Sequence, residues 1–286
     1  LKRSTELPQP LADAVRTRLS LSGPLTQIEV RERPHTVLRL VESERGRMWI
    51  KSYRRIGDDA RLEYEFLRFA SGALRDTSAL AVPDPLAYLE PATVVLSDVV
   101  GRPLRPSLSK RAARRCGEWL AAIHTAGEDA RQTFDMGLAA AFVAERWDGL
   151  QERVDELAAE STPWDRASVI THGDFAPHNV FVGRESVTVL DPSFHVEFGR
   201  RGARCSRHED VARFWISLRG TPAPSRPDLA EAFLEAYANG RDIRTPGFKL
   251  FAVLQMGIAL RDWSGLPQPL QTGLLAQLLS ELERSG

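Results

Sequence analysis

Thr171-His172-Gly173-Asp174-Phe175-Ala176-Pro177-His178-Asn179-Val180-Phe181-Val182, followed by Val187-Thr188-Val189-Leu190-Asp191-Pro192, decides how the rest of this 286-residue chain is read. Its two apolar runs are rich in the β-branched residues that fit a pleated strand, and they flank a polar loop and end on an acid. The stretch presents Asp174, Asn179 and Asp191 in that order. All three carry hard oxygen atoms suited to Mg²⁺, and a carboxylate can also accept a proton from a hydroxyl.

Asp174 and Asn179 stand five apart, the spacing of Asp and Asn in the kinase catalytic loop H-R-D-x-x-x-x-N, and Asp191 lies twelve beyond Asn179, where a metal-binding Asp follows a hairpin. Gly173 replaces the Arg of that loop, and Asp191-Pro192-Ser193 replaces Asp-Phe-Gly. With those changes the chain resembles the aminoglycoside phosphotransferase and choline kinase family, small-molecule relatives of the protein kinases. The resemblance implies an α+β, protein-kinase-like two-lobe fold. Residues 1–97 would form a nucleotide-covering N-lobe, an antiparallel five-stranded sheet plus a helix; residues 98–286 would form a mostly helical C-lobe with the catalytic loop and acceptor pocket. It further implies Mg²⁺-dependent transfer of the γ-phosphoryl group of ATP or GTP to a small-molecule hydroxyl, on an aminoglycoside or other antibiotic, an amino alcohol, a sugar or another metabolite; the alternatives are a protein or glycan kinase, or a non-catalytic nucleotide-binding scaffold of the same fold. Asp174 would be the base, Asn179 and Asp191 would hold Mg²⁺, and His172 would brace the loop. Singly, Asp and Asn are ordinary turn residues. A turn alone does not explain their order between strands, downstream of a Lys and a Glu in matching positions.

Those two come from the first part of the chain. Residues 27–30, 36–41 and 47–53 read as three strands, after a short helix over 11–21. Lys51 falls late in the third strand, where a kinase lysine reaches the α- and β-phosphates. Of Glu63 and Glu65 in the next helix, Glu63 has apolar residues three and four positions on, Phe66 and Leu67, and is assigned as the partner of Lys51. The turn of residues 31–36 sits where a glycine-rich loop would cover the phosphates, yet it has no glycine, so cover there rests on Arg, Thr or backbone contacts. Two further strands lead to Ser97-Asp98-Val99, which resembles the family's hinge; adenine would bind the backbone of Ser97 and Val99.

Helical periodicity runs from residue 110 to 125, again from 138 to 159, and through the tail after 227. His124 is expected to be a packed core residue. Asp210-Val211-Ala212 matches the family's Asp-Leu-Ala at a helix start, which makes Asp210 a buried acceptor for the catalytic-loop backbone. Arg200, Arg201, Arg204 and Arg207 are either a solvated loop or an anion clamp for the acceptor.

Lys plus Arg equals Asp plus Glu at 38 each, so no global field favours nucleic acid or an anionic membrane. The two cysteines form no C-x-x-C pair and no disulfide framework, which suits a reducing cytoplasm. The start, Leu1-Lys2-Arg3-Ser4, has no apolar h-region, and no apolar run reaches bilayer length, so a soluble protein with a trimmed start is expected. Nothing in the sequence reports oligomeric state.

Overall fold

The β-branched runs near the start form strands β1 (Thr26–Glu32), β2 (Thr36–Ser43) and β3 (Gly46–Tyr53), preceded by helix α1 (Gln9–Leu19). They are seen in a computed structural model that describes residues 6–55, 57–99, 101–104, 109–194, 203–219 and 226–284. Helix α2 (Asp59–Ala73) follows, then β4 (Leu80–Ala81), β5 (Pro85–Leu89) and β6 (Thr93–Ser97). One antiparallel five-stranded sheet forms in the order β1-β2-β3-β6-β5.

Alternation along β3 and β6 gives this sheet two apolar faces. Met48, Ile50 and Val95 share a small core with Val15 of α1, Val41 and Ala87. Val94 and Leu96 instead join the large core, which includes Phe66 and Leu67 of α2. Lys51 pairs with Val94 in the ladder and therefore lies on the α2 side of the sheet. That register aims its ammonium at the remainder of the molecule.

Beyond β6 the chain is mostly helical. It runs through β7 (Arg102–Pro103), α3 (Lys110–Gly127), β8 (Asp129–Thr133), α4 (Met136–Ala144), α5 (Gln151–Glu160), α6 (Pro163–Arg166), β9 (Ala167–Ile170), β10 (Val180–Val182) and β11 (Val187–Val189). It ends with β12 (Arg204–Ser206), α7 (His208–Arg219), α8 (Pro227–Ala238), α9 (Pro246–Trp263) and α10 (Gln268–Arg284). Phe214, Phe233, Phe248 and Phe251 from the last helices are fully buried. Helix α3 crosses α8 at Gly117, where a Cβ would stand 2.4 Å from the Phe233 carbonyl oxygen; only a glycine admits that approach.

Two small sheets frame the loop. The β10–β11 hairpin lies between β4 and β7, and β9 lies between β8 and β12. Residues 171–179 thus bridge two separate sheets. Below them, His208 Nε2 meets Asp165 Oδ1 at 2.6 Å and Thr245 donates to the same carboxylate, tying α6, α7 and α9 together in the interior. His208 is neutral: burial pulls its pKa below the usual value against the pull of Asp165.

The continuous helix expected over 138–159 is instead two helices, α4 and α5. Gly149, with φ +81, is left-handed in the turn that separates them, after α4 has ended at Ala144. Trp147 turns inward at this break and its indole N–H donates to Gln271 Oε1 at 3.1 Å. Among the described residues, no helix is long and apolar enough to cross a membrane.

Candidate active site

Lys51 and Glu63 are both buried, and Lys51 Nζ lies 2.9 Å from Glu63 Oε1. The same Nζ lies 3.0 Å from Asp191 Oδ1. Burial alone would push the ammonium toward neutrality, but the two carboxylates hold its pKa above the usual value, so Lys51 is charged. Tyr53 donates its hydroxyl to the other oxygen of Glu63 at 2.6 Å, fixing the carboxylate plane. Glu65, the competing candidate, is exposed and faces Arg61.

His172 is buried among Phe66, Trp119 and Phe175. Its Nε2 donates to the Leu190 carbonyl at 2.8 Å, and its Nδ1 accepts the Asp174 N–H at 3.3 Å. That pattern requires the neutral ring, in line with the lowering of its pKa by burial. The Ser193 N–H also donates to the His172 carbonyl at 2.8 Å. His172 therefore couples the Asp174 loop to both sides of Asp191, which lies two residues beyond β11 with φ +54.

Asp210 holds the same loop from below. It is fully buried and accepts the N–H groups of His172 and Gly173, each at 2.7 Å, one on each oxygen. His124, also buried, contributes its Nε2 at 3.2 Å and is itself tied through Nδ1 to Tyr237 at 2.9 Å. His124 is thus a packed, hydrogen-bonded core residue.

Asp174 sits in a ring of donors. Oδ2 accepts from Asn179 Nδ2 at 3.0 Å and from His178 Nε2 at 3.2 Å; Oδ1 accepts from Arg213 at 2.9 and 3.2 Å. Burial would raise the carboxyl pKa, but the His178 hydrogen bond and the Arg213 charge outweigh it and bring the pKa to about 2. Asp174 is ionised throughout the physiological range.

Asn179 donates twice to Asp174, to its carbonyl and its carboxylate, which leaves the amide oxygen Oδ1 as the group available to a cation. The Leu190 N–H donates to the Asn179 carbonyl at 2.8 Å, drawing Asn179 alongside Asp191. One amide oxygen and one carboxylate form a sparse, hard-oxygen donor set. It fits Mg²⁺, which keeps waters and phosphate oxygens in its shell and takes only one or two protein carboxylates. Burial opposes ionisation of Asp191, but the charges of Lys51 and Arg33 hold its pKa below the usual value, so the carboxylate is ready for a cation.

The expected hinge and arginine residues lie as follows. The Ser97 N–H donates to the Asp84 carbonyl and the Val99 N–H to Asp98 Oδ1, both at 2.9 Å. Arg200 and Arg201 lie outside the described residues. Arg204 donates to the Gly127 carbonyl at 3.1 Å. Arg207 is buried, pairs with Glu128 at 2.9 Å and stacks over Trp164, 4.5 Å from its centroid. Of the two roles the sequence leaves open, a solvated loop or an anion clamp, Arg204 and Arg207 are seen in neither; both are engaged in joining structural elements. Among the described residues, the arginines that reach the site are Arg213, on Asp174, and Arg33, whose Nη1 lies 3.2 Å from Asp191 Oδ2. Arg213 stands three residues after Asp210, on the same face of α7, which is the signal that could have found it.

Solved structures share this architecture. Spectinomycin phosphotransferase, in complex with ADP and spectinomycin, superposes with a TM-score of 0.61 at 12% identity, over 98% of this chain and 99% of that one. A macrolide 2'-phosphotransferase from Brachybacterium faecium gives 0.56 at 20% identity, over 94% and 98%. A choline kinase from Cryptosporidium parvum gives 0.56 at 14% identity, over 97% of each chain. At these identities the likeness establishes a kinase-like fold. No curated protein sequence matches the chain. A family model described as the phosphotransferase enzyme family, APH, matches residues 25–246, a span that holds Lys51, Glu63, the Asp174 loop, Asp191 and Asp210; the chain belongs to that family.

Proposed function

We propose that this protein is a small-molecule kinase that transfers the γ-phosphoryl group of ATP or GTP to a hydroxyl of its acceptor, with Mg²⁺. Residues 1–97 cover the nucleotide and residues 98–286 carry the catalytic loop and the acceptor pocket. The observation that carries this reading is the continuous cluster from Glu63 through Lys51 and Asp191 to the braced loop with Asp174 and Asn179. Lys51 orients the α- and β-phosphates, held in place by Glu63. Asn179 and Asp191 hold Mg²⁺, which neutralises charge on the phosphate oxygens when bound.

Asp174 accepts the hydrogen bond of the acceptor hydroxyl. With a pKa of about 2 it is a weak base, so it orients the nucleophile first. The proton comes across late, as the new bond to phosphorus forms. The Arg213 guanidinium beside Asp174 favours acceptors that carry an oxygen near the reacting hydroxyl over those with an ammonium there. Sugars, macrolides and hydroxy acids fit this chemistry better than amino alcohols do. A protein kinase is disfavoured by Gly173 and by Asp191-Pro192-Ser193.

The test is a screen of hydroxyl-bearing metabolites and antibiotics for ADP release from MgATP, run beside a protein extract given the same labelled nucleotide. Label is expected in a small molecule. Label only in protein, or no nucleotide consumption with any acceptor, contradicts the reading.

A further inference from the structure

We propose that Arg33 is a phosphate ligand of the nucleotide site, a side chain doing the work that a glycine-rich backbone does elsewhere; the inference rests on the nucleotide site proposed above. The β1–β2 turn contains no glycine, and its backbone is already engaged. The Arg33 N–H donates to the Thr36 carbonyl at 2.8 Å, and the Arg33 carbonyl accepts from Arg54 Nε at 3.2 Å. The His35 carbonyl accepts the Arg54 N–H at 2.9 Å. A turn tied down at these points cannot offer the Arg33 amide to an anion.

Its side chain can reach one. Arg33 crosses from the sheet to Asp191 Oδ2 while Lys51 holds Oδ1, so two cations from the N-terminal sheet flank one carboxylate. Asp191 is the residue proposed, with Asn179, to hold the cation that would neutralise the phosphate oxygens. A guanidinium within hydrogen-bond reach of it is within one side-chain movement of those phosphate oxygens. Its exposure of 53% leaves donors open to the cleft. Guanidinium suits phosphate through parallel N–H donors, and an arriving triphosphate carries more charge than the single carboxylate it replaces. Asp191 then serves as the holding point for Arg33 in the free protein and passes to the cation when nucleotide binds.

A simple plug would leave a different trace. If Arg33 only competed with the divalent ion for Asp191, removing it would tighten Mg²⁺-nucleotide binding. If it binds phosphate, removing it weakens that binding and leaves adenosine untouched.

The experiment is calorimetric titration of wild-type protein, Arg33→Ala and Arg33→Lys with the Mg²⁺ complex of the β,γ-imido analogue of ATP, and separately with adenosine. Arg33→Ala should lose about 10- to 100-fold in affinity for the analogue, the range of one charge-assisted hydrogen bond, with adenosine affinity unchanged. Arg33→Lys should recover part of the loss. Analogue affinity within twofold of wild type, or tighter, overturns the inference while leaving the kinase reading intact. Wild-type protein that binds neither probe overturns both.

Discussion

Asp210→Asn isolates the support of the catalytic loop from its chemistry. In the native protein each Asp210 oxygen accepts one backbone N–H at 2.7 Å, from His172 and from Gly173. Asparagine keeps the shape but offers one acceptor and one donor. One loop N–H then keeps a neutral hydrogen bond, and the other faces an NH₂ group in a site that water does not reach. An orphaned buried donor costs about 1–3 kcal/mol, and loss of charge assistance on the retained bond about 1 kcal/mol more. Relief of the desolvated charge offsets part of this sum, leaving a net loss of about 1–3 kcal/mol. At about 2 °C per kcal/mol for a chain of this size, the melting temperature should fall by roughly 2–6 °C. Calorimetry with matched urea unfolding measures it, with phosphoryl transfer followed on the same sample well below the melting point. Transfer should fall with stability, because the loop carrying Asp174 is no longer pinned. A melting temperature within about 1 °C of wild type would refute the assigned role of Asp210.

Two further outcomes follow from the titrating groups. Arg213→Gln removes a cation from Asp174 Oδ1, so the Asp174 pKa must rise from about 2 and the acid limb of the kcat profile must move to higher pH; an unmoved limb would separate Arg213 from Asp174. Stability should also fall as pH drops below about 6.5. His124, His172 and His208 are all buried with pKa values lowered by that burial, so the unfolded chain binds more protons in this window and acid favours it. Each pH unit of depression contributes about 1.4 kcal/mol, fully present above the unfolded pKa and lost toward the folded one. Melting temperatures that stay level from pH 7 to pH 5 would contradict the neutral rings assigned here.

Local pattern made much of this site readable. The order Asp174, Asn179, Asp191 is contiguous enough to carry a spacing signal, and the strand read over residues 47–53 put Lys51 late in it. Helical spacing of Phe66 and Leu67 behind Glu63 selected it over Glu65, and the two glutamates prove to differ in burial as that choice requires. Arg33 and Asp191, 158 residues apart, meet because of how the sheet sits on the hairpin, and no periodicity encodes that. Arg207 was open to either of two roles, and its place was decided by Trp164 and Glu128 arriving from elsewhere in the chain. The turn between α4 and α5 was visible as Asp148-Gly149, a pair that the apolar periodicity on either side concealed.

The most direct measurement is transfer of labelled γ-phosphoryl from MgATP to a small-molecule hydroxyl by wild-type protein and by Asp174→Ala at equal folded concentration. The proposed reaction predicts a labelled phosphate ester with wild type, and a rate about 10²- to 10⁴-fold lower for the variant, with nucleotide binding retained. A variant that turns over at close to the wild-type rate would contradict it.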